Sequence, residues 1–122
     1  MNLTYIVGDI HGHLEPLKKL LRQIREDAER RPEGRREVVF LGDYIDRGPS
    51  SAEVLRLCHP RKGEDMEALP GFSVVPKIGN HEWMLLSWLL RDELPQYDPR
   101  MERAFMIAAN GGFQTLRSFG VE

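Results

Sequence analysis

Residues 3–12 read LTYIVGDIHG. Leu3 to Val7 is a short, β-branched, apolar run, the pattern of a buried strand. It gives way at once to Gly8, Asp9, His11 and Gly12, so a carboxylate and an imidazole stand on a glycine-flanked turn at the strand's carboxyl end. The same arrangement recurs twice. Val38 to Leu41 leads into Gly42-Asp43-Tyr44-Ile45-Asp46-Arg47-Gly48, and Phe72 to Ile78 leads into Gly79-Asn80-His81-Glu82. Asp, His and Asn side chains at three strand ends can converge on one point. A donor set that mixes oxygen with imidazole nitrogen suits divalent cations.

Helical patterns separate the three strands. Leu14, Leu17, Leu20, Leu21, Ile24 and Ala28 recur at helical spacing, with Pro16 tolerable in the first turn and Pro32 and Gly34 ending the helix. Ser50 with Glu53 is a capping-box pattern that starts a helix through Leu57. His59 to Gly71 reads as a loop. Pro76 marks the third strand as an edge or a bulge. Asn80 caps a helix through Leu90 that is apolar nearly all round and is expected to be deeply packed. Another helix is expected over Arg100 to Asn110, stopped by Gly111 and Gly112, and a last one over Phe113 to Phe119. The order strand–helix–strand–helix–strand–helix is α/β, with three mostly parallel buried strands, flanking helices and right-handed crossovers. Ligands of such sheets bind outside the carboxyl ends of the strands, where all three motifs fall.

A chain of 122 residues is one domain at most, and 41% apolar with 30% charged residues is ordinary for a soluble protein. A net charge of −2 points away from nucleic acid and anionic membranes as partners. The basic residues between Arg22 and Arg36 alternate with acidic ones and read as a solvated helix face. The single Cys58 excludes an internal disulfide and reads as a small buried apolar residue in a reducing compartment. No signal peptide or membrane-span pattern is present, so the cytoplasm is expected. His13 and His59 read as solvent-facing, Trp83 and Trp88 as core, and Glu82 as helix-cap chemistry.

The motifs G-D-x-H-G, G-D-x-x-D-R-G and G-N-H-E, in this order and at these separations, resemble the phosphoprotein phosphatase branch of the calcineurin-like metallophosphoesterases. The stretch Asn110 to Gly120 (NGGFQTLRSFG) looks like bacterial members of that branch. The resemblance implies the N-terminal half of a metallophosphoesterase-type αββα sandwich, occupying residues 1–122. It implies a metal-dependent phosphoester hydrolase with a metal-bridging water as nucleophile and two divalent ions, manganese first and iron or zinc as the other candidates. By the same resemblance Asp9, His11 and Asp43 hold one ion, and Asp43 bridges to a second that Asn80 also binds. His81 is the general acid, oriented by Asp46, and Arg47 holds phosphate oxygens. The chemistry is consistent with these roles. Two cations about 3.5–4 Å apart can share a carboxylate, His suits proton donation near neutral pH, and a guanidinium fork matches phosphate.

Within the resemblance, Asp46 and Glu82 favour a Ser/Thr protein phosphatase acting on a phosphorylated protein or a small phosphoester. The alternative is a dinucleoside tetraphosphatase-type hydrolase, whose members usually differ at those two positions. The family draws two further metal-binding histidines from its C-terminal half, whereas the four histidines here end at His81. A second expectation is therefore a non-catalytic fragment with a partial metal site. In the family a second sheet covers one face of the first, so the chain alone is expected to expose apolar strand residues and to be either a poorly active, metal-deficient fold or an oligomer that hides that face. Extending the reading frame past Glu122 separates the enzyme from the fragment.

Overall fold

The computed structural model describes residues 1–93, 99–106 and 110–121. Strand β1 (Leu3–Val7) is followed by α1 (Leu14–Glu29), β2 (Arg36–Phe40), α2 (Ser51–Cys58), β3 (Ser73–Pro76), α3 (Asn80–Leu89), α4 (Pro99–Met106) and α5 (Gly112–Ser118). The strands form one parallel sheet in the order β1-β2-β3, with Val7 opposite Phe40 and Phe40 opposite Pro76. The three carboxyl ends are therefore level, and the three motifs leave the sheet side by side.

Alternation along the strands divides the sheet into two unlike faces. Val7, Val38 and Phe40 point into the core, where they meet Leu17, Leu21, Ile24 and Ala28 of α1 and Val54 and Cys58 of α2. On the other face Thr4, Glu37 and Ser73 form a polar row and Ile6, Val39 and Val75 an apolar one. Ile6 is 67% exposed. The strands are thus buried on one face only among the described residues.

β2 starts at Arg36, two residues before the apolar run does, because backbone pairing with Leu3 and Thr4 continues under polar side chains. Pro76 ends β3, the edge strand, where its missing N–H costs no ladder bond. The segment from His59 to Gly71 has no helix or strand, yet Met66 and Leu69 within it are fully buried. Three local expectations fail. The Ser50 side chain makes no cap bond; instead the hydroxyl of Ser118, from α5, accepts the N–H of Ala52 at the start of α2. Gly79, not Asn80, is the N-cap of α3. And α3 is not deeply packed all round: it buries His81, Glu82, Met84 and Ser87, while Trp83 and Trp88 are only half-buried and Leu89 is exposed. Two of its buried residues, His81 and Glu82, are polar because they bond to the loop around Asp43 and Asp46. The helix expected to reach Asn110 is described to Met106, and residues 107–109 lie outside the described set.

Candidate active site

Each motif is locked to the next by backbone contact. A β-carbon on Gly42 would collide with the backbone of Gly79. One on Gly111 would collide with the backbone of Arg47, and Gly111 also has φ +80. The residues that carry functional groups are strained as well. His11, Asp43, Asp46 and Arg47 have φ of 49, 53, 71 and 72°, and they are the positive-φ non-glycine residues of the described chain.

Ligand atoms of Asp9, His11 and Asp43 lie within 4.8 Å of one another. The backbone N–H groups of Ile10 and His11 both donate to the Asp43 carbonyl, at 3.0 and 2.9 Å, which ties the first motif to the second. Nδ1–H of His11 donates to the Ile45 carbonyl at 2.8 Å. That bond leaves Nε2, 3.6 Å from Asp9 Oδ2, with its lone pair available. Asn80 stands beside this group: with its amide turned so that the NH₂ faces Asp43, it donates to the two carboxylate oxygens at 2.9 and 3.0 Å. The donor set of Asp9, His11 and Asp43, carboxylate oxygen mixed with imidazole nitrogen, fits a divalent ion. Asp9 is exposed and opens on a cavity of about 270 Å³ lined by Val7, Ile10, His13 and Leu17.

His81 lies beside this group, its ring edge-on to that of His11 with centroids 4.6 Å apart. Its Nδ1–H donates to Asp46 Oδ2 at 2.7 Å, and its backbone N–H donates to Asp43 Oδ1 at 2.9 Å. Asp46 is fully buried and His81 nearly so. Asp46 and Arg47 consequently do not form a surface ion pair. The Arg47 side chain is exposed and makes no hydrogen bond or ion pair among the described residues. His13 and His59 are both exposed, as expected.

Two residues organise the site in ways the sequence did not mark: Glu82, read there only as a cap, and Thr115. The Glu82 carboxylate accepts the N–H groups of Asp43, of Tyr44 at 2.9 Å, of Ile45 at 3.4 Å and of Gly79 at 2.9 Å. It is therefore a cap, as its place in the first turn suggests, and also the anchor of the second motif's loop. Thr115, on α5, is fully buried and donates to Asp46 Oδ1 at 2.6 Å. Nearby, burial pushes the Tyr44 phenol well above its usual range, with Cys58 and Glu82 adding to the shift. Its hydroxyl donates to the Lys77 carbonyl at 2.8 Å. Burial likewise pushes the Cys58 thiol up to about 12, as befits an inert core thiol.

A strand-end carboxylate–imidazole cluster on a parallel sheet, beside a buried His–Asp pair, defines a metallohydrolase-type site. The chain belongs to the calcineurin-like phosphoesterase family, whose model matches residues 3–120. It is similar to proteins named symmetrical bis(5'-nucleosyl)-tetraphosphatase. One from Pseudomonas fluorescens strain Pf-5 is 35% identical over 100 residues, covering 81% of this chain and 30% of that protein. A second, from P. fluorescens strain Pf0-1, is 28% identical, covering 86% and 41%. A third, from Paracidovorax citrulli, is 40% identical over 83 residues, covering 68% and 25%. The chain thus spans well under half the length of these relatives. Their names back the tetraphosphatase alternative better than the protein phosphatase favoured by Asp46 and Glu82. Among the described residues no helix is long and apolar enough to cross a membrane.

Proposed function

We propose that this chain is the metal-binding part of a hydrolase of small polyphosphates, with a dinucleoside tetraphosphate as its substrate class. The reading is carried by the convergence of Asp9, His11 and Asp43 within 4.8 Å, next to the His81–Asp46 pair. The substrate class is supported by the names of the similar proteins. Asp9, His11 and Asp43 would hold one divalent ion, and Asp43 with Asn80 a second. Manganese is the first choice for such oxygen-rich mixed donors, with iron or zinc as the others. When bound, such ions supply positive charge for phosphate oxygens and a water acidic enough to be a nucleophile at neutral pH. The lone, buried Cys58 supports a reducing compartment, the cytoplasm.

The protein's own side chains do the rest. Arg47 offers a guanidinium fork that is unpartnered among the described residues, a shape that matches two phosphate oxygens. Asp46 receives Nδ1–H of His81, which fixes the ring and leaves Nε2 to hand a proton to the departing oxygen. How much that proton matters depends on the leaving group. Splitting a tetraphosphate at its centre expels a nucleoside diphosphate, a stable anion that needs little help. An alkoxide from a phosphomonoester needs the proton. The buried His81–Asp46 pair therefore favours a second reading, a phosphomonoesterase that would include phosphoprotein substrates.

Manganese-loaded protein incubated separately with diadenosine tetraphosphate and with a phosphoserine peptide tests both. Release of ADP from the first is the expected result. Turnover of the peptide alone would move the assignment to the second reading, and inactivity on both with every metal named would reject both.

A further inference from the structure

Thr115 holds Asp46 from two sides. Its hydroxyl donates to Asp46 Oδ1 at 2.6 Å, while the backbone N–H of Asp46 donates back to Thr115 Oγ1 at 2.8 Å. Ser51 Oγ, at the start of α2, completes the cluster: it accepts the same N–H at 3.1 Å and lies 3.2 Å from Thr115 Oγ1. Asp46, Ser51 and Thr115 are each fully buried, so no water competes for these bonds. The other carboxylate oxygen of Asp46 is the one that receives His81. Asp46 is also in the left-handed region, at φ 71, a conformation that its surroundings must hold.

The geometry points to Thr115 as a positioning residue of the proton donor, and this inference rests on the reading of His81 as that donor. A carboxylate with one oxygen bound to imidazole can still rotate about its Cβ–Cγ bond. Binding its second oxygen at a fixed point removes that freedom, and a hydroxyl is the smallest group that can do so while accepting the Asp46 N–H in return. Thr115 itself is anchored by α5: its carbonyl accepts the Ser118 hydroxyl at 2.7 Å, and that hydroxyl in turn accepts the Ala52 N–H of α2 at 3.0 Å. The series Ser118–Thr115–Asp46–His81 therefore links the last helix to the reacting face, each residue hydrogen-bonded to the next. Gly111 makes it possible, because only glycine lets the start of α5 approach Arg47 so closely.

Thr115→Val keeps the shape and removes the hydroxyl, Thr115→Ser keeps the hydroxyl, and Thr115→Ala removes both with less steric risk. In zinc-loaded protein, the downfield proton NMR signal of His81 Nδ1–H should persist in wild type and in Thr115→Ser. It should move upfield or exchange away in Thr115→Val and Thr115→Ala. In turnover, Thr115→Val should lose about tenfold or more in kcat on a phosphoserine peptide, the scale of one charge-assisted hydrogen bond, with KM unchanged. On p-nitrophenyl phosphate, whose leaving group needs no proton, it should stay within about twofold. An unaltered imidazole signal in both Thr115→Val and Thr115→Ala, equal losses on the two substrates, or no recovery in Thr115→Ser would overturn the inference. A wild-type protein that hydrolyses neither of these substrates nor diadenosine tetraphosphate would reject the functional reading instead, and the NMR comparison would still decide the role of Thr115.

Discussion

His11, Asp43, Asp46 and Arg47 share a backbone conformation that L-residues avoid, at about 1–3 kcal/mol each. The fold tolerates this because each is tied down: His11 through Ile45, Asp43 through Glu82 and His81, Asp46 through Thr115, and Arg47 against Gly111. Strain concentrated on the groups that would touch metal and phosphate is itself an argument that they act there. In an active form of the protein, His81→Asn is expected to lower turnover by about 10²–10⁴ on poor leaving groups. The loss should shrink with p-nitrophenyl phosphate. A uniform loss on both would make His81 a structural residue. Arg47→Ala is expected to raise KM severalfold and to weaken inhibition by inorganic phosphate, with kcat less affected. Phosphate inhibition unchanged in this variant would mean that the guanidinium does not reach the substrate. The residues in the three motifs were legible because each sits within a few positions of its strand end. The hold of Glu82 on the Asp43 loop and the role of Thr115 were not, because those partners lie 39 and 69 residues away and no local pattern marks either contact.

At the scale of elements, the limits of β1 and most of α1 follow from side-chain periodicity, which is a local property. The start of β2, the cap of α2 and the packing of α3 do not, because each is set by a neighbour: β1, Ser118 and the active site respectively. A measurable junction joins β1 to α1. The Tyr5 hydroxyl donates to Asp27 Oδ2 at 2.7 Å, and Arg31 donates to the same carboxylate at 2.9 and 3.2 Å. The Arg31 guanidinium, and after it the Tyr5 hydroxyl, hold the Asp27 carboxyl below its usual range. Burial, and after it Asp27, pushes the Tyr5 phenol up. A carboxylate whose folded pKa is depressed adds stability above its unfolded pKa, near 3.9, and loses it as pH falls through the lower folded value. Urea melts of wild type and Asp27→Asn should therefore differ by a constant, small amount above about pH 5. The gap should close as the pH falls below about 4. A gap that persists to pH 2 would show that the charge on Asp27 is not its source.

The whole molecule is defined by the asymmetry of its sheet. One face carries α1, α2 and the buried core, while the other presents Ile6, Val39 and Val75 in a row; Leu41 and Ile78 follow just past the ends of β2 and β3. Ile6, Leu41 and Ile78 are 67, 51 and 64% exposed. Parallel sheets are ordinarily covered on both faces, and a contiguous apolar patch on a small domain drives association. Two routes are open to the 122-residue chain: face-to-face contact through that row, or edge-to-edge pairing through the sides of β1 and β3 that are unpaired among the described residues. The face is the stronger driver, since the Thr4–Glu37–Ser73 row limits the apolar strip to one register and sets a carboxylate beside it, which suits a specific contact better than a fibre. We therefore expect the chain to self-associate in a concentration-dependent way, measurable by sedimentation velocity. Ile6→Lys should shift it toward monomer, because burying an unpaired ammonium in the contact costs several kcal/mol. The substitution should leave the melting temperature nearly unchanged, because Ile6 is mostly exposed in the single chain. A wild type that stays monomeric at high concentration would contradict the expectation outright. Association that survives Ile6→Lys unchanged would assign it to the strand edges and leave the apolar row without a part in it.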